Sequence, residues 1–319
     1  MRLLIWHVHG SWTTAFVQGR HTCLLPLAPG RGPYGRGRAR TWDWPATAVE
    51  VPVTRLRDEQ IDAVILQRPA EEALTRRLTG RRPGRDLPAV YLEHDPPSGN
   101  VPLTRHPMAG RTDLRIVHVT HFNELFWDCG GTPATVIEHG IPDPGPLWTG
   151  ELPHIAAVIN EPVRRGRCTG TDLLPYFAQV APLDVFGMGV RDLPRALECA
   201  AVTGHEDLPQ ARMHAELARR RVYLHPFRWT SLGLTLIEAM QLGMPVVALA
   251  TTEAAEAIPP GAGILSTSTD KLRQAVRTLL ADPGLAAGMG KLAREAALAR
   301  YGLTRFLADW DRLLTEVIQ

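Results

Sequence analysis

The chain has 319 residues, of which 45% are hydrophobic, enough for two domains with ordinary cores. It carries 35 Lys and Arg against 33 Asp and Glu, a formal charge of only +2. That balance excludes a nucleic-acid binder working by a concentrated basic footprint.

Residues 3–8 read as a first strand, with His9, Gly10 and Ser11 as the loop at its end and residues 13–18 as a short helix. Residues 29–45 are rich in Gly, Arg and Pro and read as a mobile loop. Strands follow at 61–67, 89–93, 116–119 and 134–137, with helices at 71–78 and from Asn123 toward Cys129. Short apolar strands alternating with helical patterns predict an α/β fold with a parallel sheet covered on both faces. Pro142, Pro144, Gly145 and Pro146 then crowd into a linker, which makes 1–145 the first domain.

The same grammar restarts over 146–302. Strands are expected at 156–159, 183–186, 222–225 and 246–250, with a short one at Val202. Helices are expected at 172–178, 191–198, 208–219, 234–242, 270–280 and 285–299, with Thr269 capping the fifth. A last helix over 305–317, capped by Thr304, carries an apolar stripe of Phe306, Leu307, Trp310, Leu313, Leu314 and Val317. That stripe predicts a surface to pack against. Two such domains on a proline-rich hinge predict a ligand cleft at the carboxyl ends of their strands.

Cys23, Cys129, Cys168 and Cys199 form no CxxC pair and read as free thiols in a reducing compartment. No run reaches the roughly 18 apolar residues of a membrane span, and no leader-like apolar segment follows residues 1–10. A cytoplasmic location is therefore expected.

The most informative segment runs from His225 to Val247. A strand ends, a loop with Thr230, Ser231, Leu232 and Gly233 leads into a helix, and Leu234 and Thr235 open that helix. A helix N-terminus offers unpaired N–H groups to phosphate or carboxylate. Gly233 is expected to let the backbone approach a ligand. Glu238, about one turn in, suits the hydroxyls of a ribose, which donate to an ionised acceptor. A second basic segment holds Arg164, Arg165 and Arg167, and its bland reading is a solvated charge cluster.

The segment from Thr230 resembles the donor-binding signature of the GT4-like retaining glycosyltransferases of GT-B fold. That signature is a glutamate, seven residues, a second glutamate, then Ala-Met, a glycine and Pro-Val-Val. The likeness runs over about 134–319. It takes in Val136 to Ile141, Asn160 to Leu174, the Gly187-Met188-Gly189 loop, and Val202 to His205. It implies two Rossmann-like domains facing across a cleft and a last helix, 303–319, returning to the first domain. It also implies sugar transfer from a UDP-, GDP-, ADP- or dTDP-sugar to a hydroxyl on a small molecule or glycan. No prosthetic group or metal is expected, nor any nucleic-acid partner, and a homodimer is compatible.

By the same resemblance Glu238 binds the ribose, and Ser231 to Thr235 hold the diphosphate and sugar. Gly187, Gly189 and His205 lie near the nucleotide, and Gly10 lies beside the ligand. Thr230 stands where the family has its first glutamate. Arg164 fits the family's phosphate arginine, and Thr169 replaces its lysine. Arg167, helped by Arg165, is then expected to supply the second charge. His94 resembles the histidine placed near the transferred sugar, with Asp95 orienting it or touching the acceptor. His118, Thr120, His121 and Asn123 are candidate acceptor contacts, and Glu253 a candidate wall.

Rival readings are a nucleotide-sugar epimerase or phosphorylase on the same scaffold, and a partner subunit that binds nucleotide without turnover. Thr230 and Thr169 motivate the second. A dinucleotide oxidoreductase lacks its GxGxxG loop.

Overall fold

Branched apolar runs form the strands of two separate parallel sheets. The computed structural model describes residues 1–319. It divides into two compact units, Met1–Pro142 with Leu303–Gln319, and Asp143–Gly302.

The strands of the first unit are β1 (Arg2–Ile5), β2 (Thr22–Leu27), β3 (Ala48–Pro52), β4 (Ala63–Leu66), β5 (Ala89–Glu93), β6 (Arg115–His118) and β7 (Ala134–Val136). They lie in the order β3-β2-β1-β4-β5-β6-β7, every pair parallel. Helices α1 (Gly10–Phe16), α2 (Ala70–Thr79) and α3 (His121–Phe126) follow β1, β4 and β6. The order reverses between β1 and β4, the position where an open α/β sheet parts its loops and opens a crevice.

The second unit has β8 (Leu152–Val158), β9 (Leu183–Gly187), β10 (Val202–Glu206), β11 (Arg220–His225), β12 (Val246–Leu249) and β13 (Gly263–Ser266). Their order is β10-β9-β8-β11-β12-β13, so the reversal falls between β8 and β11. The helices are α4 (Pro162–Arg165), α5 (Leu174–Ala178), α6 (Leu193–Ala196), α7 (Gln210–Ala218), α8 (Leu234–Leu242), α9 (Ala254–Ala257), α10 (Thr269–Ala281) and α11 (Pro283–Tyr301). One face of the sheet buries Ile155, Leu183, Val185 and Val222 together with Phe177 of α5 and Leu272 and Val276 of α10. Gly290 lets α11 cross the end of α8, because a Cβ there would lie 1.9 Å from the carbonyl oxygen of Gly243.

The last helix, α12 (Leu303–Ile318), belongs to the first unit. Its Phe306 and Trp310 are fully buried and meet the Trp12 ring edge-on at 6.0 and 5.6 Å. Asp311 pairs with Arg20 at 2.9 Å and His21 at 2.7 Å. Arg115 pairs with Glu316 at 2.8 Å.

Some elements differ from the sequence reading. Strands β2, β3 and β13 were not anticipated. Pro26 lies inside β2, where a proline usually argues against a strand. Its missing N–H costs no bond to Gly37, because its carbonyl is what accepts from the Gly37 N–H, at 3.0 Å. Residues 29–45 are tied down rather than loose. Arg38 reaches the carbonyls of Trp44, Pro45 and Ala48, and Trp44 is buried with its Nε1 donating to Thr14 Oγ1 at 2.8 Å. Ser268, not Thr269, caps α10, and α12 starts at Leu303, ahead of Thr304. The helix expected over 172–178 shortens to α5, with a 3-10 turn at Thr171–Leu173. All four cysteines are free.

Candidate functional site

In the second unit the loops that follow β8 and β11 open at the switch point. The β11 loop runs from Pro226 to Gly233, where α8 begins with no side chain capping it. In its first turn the Leu236 N–H donates to the Gly233 carbonyl at 2.9 Å. Thr235 turns its hydroxyl back to the sheet, 3.1 Å from the Tyr223 hydroxyl. Ser231 and Leu232 are buried, and Thr230 is half-buried. Gly233 has ordinary backbone angles, so its glycine answers a packing need: a Cβ would stand 2.7 Å from the His225 ring. That ring stacks on Phe227 at 4.5 Å. Burial pushes its pKa down to about 3, so it is neutral.

The β8 loop is welded to the β11 loop. The backbone N–H groups of Arg228 and Trp229 both donate to the carbonyl of Cys168, at 2.9 and 3.2 Å. Gly170, at φ +71°, admits the Pro226 carbonyl so closely that a Cβ would lie 2.0 Å from its oxygen. Arg228 holds Asp172 through both terminal guanidinium nitrogens, and Arg167 reaches the same carboxylate at 2.9 Å. Arg167 is thus partly neutralised within the chain, which the sequence reading did not foresee. Burial would raise the Asp172 pKa, but the hydrogen bond from Arg228 and the charges of both arginines outweigh it and hold it low. Arg164 is exposed, 3.7 Å from Glu161, and Arg165 is half-buried. Thr169 is fully buried, donates to the Gly166 carbonyl and lies 3.0 Å from the Thr171 hydroxyl, so it stiffens the loop. Sequence reasoning missed Arg228 and Asp172. The available signal was an arginine in the strand-to-helix loop and an aspartate beside the basic cluster.

The glycine loop after β9 is braced by Glu206. The Glu206 carboxylate accepts from the N–H groups of Gly189, Val190 and Arg191 at 2.8, 2.9 and 2.9 Å. These bonds hold its pKa low. Gly187, at φ +138°, lets the Ile159 carbonyl pass; a Cβ would meet it at 2.5 Å. Gly187 and Gly189 therefore shape the loop, and the Gly189 N–H is engaged by Glu206. His205 is likewise engaged. It stacks on Phe186 and contacts Asp184 at 2.7 Å, a carboxylate that also meets His154 at 2.8 Å and Arg220 at 3.0 Å.

Glu238 is buried within α8, its Oε2 3.4 Å from Nε2 of His214 on α7. Glu253 is buried and pairs with Arg300 at 3.1 Å, an internal ion pair rather than a wall.

In the first unit, His94 closes β5 and is buried. It is positioned by Gln67, not by Asp95. The Gln67 amide nitrogen donates to the Trp6 carbonyl at 2.7 Å, so its oxygen accepts from His94 Nε2 at 2.8 Å. Gln67 is fixed in turn by the buried Glu71, which accepts from its backbone N–H at 2.7 Å. Burial, then the neighbouring His9 and His139, push the His94 pKa well down and keep the ring neutral. The His9 ring lies 4.1 Å from that of His94. Gly10 opens α1 and packs under Trp42, whose Nε1 would lie 3.3 Å from a Cβ there. Among the proposed acceptor contacts, His118, Thr120 and Asn123 are interior, and His121 is exposed. Thr120 caps α3 by accepting from the Asn123 N–H.

No group of three or more His, Cys, Asp or Glu side chains is arranged to hold a metal ion, and no helix is long and apolar enough to cross a membrane.

Solved structures share this fold along nearly the whole chain. Sucrose-phosphate synthase from Thermosynechococcus elongatus superposes with a TM-score of 0.72 at 14% identity, covering 99% of both chains. Anabaena Alr3699/HepE, solved with UDP and glucose, gives 0.70 at 14% identity, covering 99% of this chain and 100% of that one. AviGT4, a glycosyltransferase of avilamycin A biosynthesis, gives 0.65 at 16% identity, covering 100% and 98%. The fold is GT-B. Residues 176–282 of this GT-B chain match the model of glycosyl transferases group 1, in agreement with the resemblance of its β11–α8 segment. No curated protein sequence matches it.

Proposed function

We propose that this GT-B chain is a retaining glycosyltransferase that moves a sugar from a nucleotide-diphosphate donor to an acceptor hydroxyl. The observation that carries this is the welded pair of loops at the β8/β11 switch point. It gathers Arg167 and Arg228 on the Asp172 carboxylate, and Arg228 belongs to the loop that leads into α8. The diphosphate sits on the first-turn N–H groups of α8, over Ser231 to Thr235. Arg164, Arg165, Arg167 and Arg228 neutralise the charge that grows on the leaving group. Glu238 accepts from the ribose hydroxyls. Structures of a GT-B neighbour with UDP and with UDP-glucose support a nucleotide-sugar donor.

In the reaction the bond from the anomeric carbon to the diphosphate oxygen breaks. The acceptor oxygen bonds to that carbon on the same face, and the hydroxyl proton passes to the departing phosphate. Guanidinium groups serve the leaving group, so turnover without added metal is expected.

The test is nucleotide release and product analysis with UDP-, GDP-, ADP- and dTDP-glucose in EDTA, with proton NMR to read the anomeric configuration. Release from one donor with retained configuration supports the reading, and release from none opposes it. A second reading, nucleotide binding without transfer, is favoured by Thr230 and by the enclosed Thr169. Binding without release would select it.

A further inference from the structure

We propose that the first unit carries a second anion site, a groove for a ligand bearing two or more phosphoryl groups, away from the carboxyl edge where His9 and His94 lie. A concave surface of about 1260 Å³ is lined by Arg57, Arg76, Arg77, Arg82, Arg85 and Arg111. Its only carboxylates are Glu72 and Asp113. The excess of four positive charges in this one place exceeds the +2 of the entire chain. The groove is built from α2, the 3-10 turn at Val53–Asp58 before β4, and the loops that precede β5 and β6, which places it at the amino edge of the sheet.

Part of this charge has a structural role. Arg111 ties Glu72 at 2.6 Å and Asp113 at 2.8 Å, and Arg82 pairs with Asp86 at 2.8 Å. Arg81, adjacent in sequence, turns inward to the carbonyls of Ile61 and Glu59. Arg57, Arg76 and Arg77 are exposed and carry no ion pair, and Arg85 reaches Asp113 only at 3.9 Å. Arg76 and Arg77 lie in the last turn of α2, where a helix dipole favours cations. That account does not extend to Arg57 and Arg85, which belong to other segments. Guanidinium groups set around a concavity match phosphate oxygens in paired bonds, and the groove is too large for one phosphate. The two sources of such chemistry are a soluble oligophosphate and the headgroups of an anionic lipid surface.

The test uses the full chain and needs no glycosyl transfer, so its outcome is independent of the proposed activity. Calorimetry with inorganic tripolyphosphate addresses the soluble source. Co-sedimentation with phosphatidylglycerol–phosphatidylcholine vesicles, against pure phosphatidylcholine, addresses the lipid source. Binding in either arm is expected to fall about tenfold or more in Arg76→Glu/Arg77→Glu, since bonds between charged groups are lost. A control of equal charge change in the second unit, Arg212→Glu/Arg277→Glu, is expected to bind as the wild type does. Absence of binding in both arms, or an equal loss in the control, overturns the proposal.

Discussion

Arg228 grips the Asp172 carboxylate in a two-bond fork, at 2.5 and 3.0 Å, and so locks the loop after β11 to the loop after β8. The grip presets both loops, but it also places a carboxylate where the proposed diphosphate needs cations. Arg228→Ala is expected to weaken nucleotide binding about tenfold, the loss of one charge-assisted contact. Asp172→Asn keeps the shape, removes the competing charge, and is expected to tighten binding. Both changes are expected to alter stability by only about 0–1 kcal/mol, because the pair is half-exposed. Calorimetric titration of nucleotide into both variants checks this. A purely structural fork would make both variants bind more weakly.

Gly233 is expected to tolerate no side chain. Gly233→Ala drives a methyl to within 2.7 Å of the buried His225 ring and should cost about 1–3 kcal/mol in urea unfolding. Wild-type stability in that variant would show that the ring yields.

Acid is expected to weaken the fold through its buried histidines. Burial depresses the pKa of His225 to about 3 and of His118 to about 4, while an unfolded histidine titrates near 6.5. For a base with a depressed pKa, the unfolded chain takes up protons first. Stability is therefore complete above about pH 6.5 and falls as pH drops toward the folded values. Each such histidine contributes at most about 1.4 kcal/mol per pH unit in that window. Urea unfolding at pH 7, 6 and 5 measures the slope, which His225→Gln should make shallower.

Trp310→Ala is expected to loosen α12 from the first unit. Trp310 is 1% exposed, and its ring meets both Trp12 and Phe16 edge-on. Truncating such a side chain costs about 3–5 kcal/mol. Hydrogen exchange should show α12 opening while the α8–α11 packing of the second unit keeps its protection. Equal loss in both units would contradict that local role.

Much of the fold was legible because each unit repeats apolar strands and amphipathic helices at regular spacing, and the stripe of Phe306 and Trp310 announced its own docking. Strand β2 was hidden by Pro26, and β13 by its brevity and half-burial. The site was legible only as far as local sequence reaches. The loop from Thr230 to Gly233 could be placed before a helix, but its partner Asp172 lies 56 residues from Arg228. The Gly187-Met188-Gly189 loop looked like a ligand cradle because glycines permit one. No local pattern shows that Glu206, 17 residues past Gly189, accepts from its N–H. The same limit applies to His94, whose orienting Gln67 comes from the neighbouring strand's end and is 27 residues away.

The central claim is that the second unit binds a nucleotide diphosphate at the α8 N-terminus with Glu238 on the ribose. Calorimetric titration of UDP, GDP, ADP and dTDP into the wild type and Glu238→Gln, with folding verified by circular dichroism, tests it most directly. The account predicts that one nucleotide binds and that Glu238→Gln weakens it about tenfold or more. A folded wild type that binds none of the four, or binding that Glu238→Gln leaves intact, would contradict it.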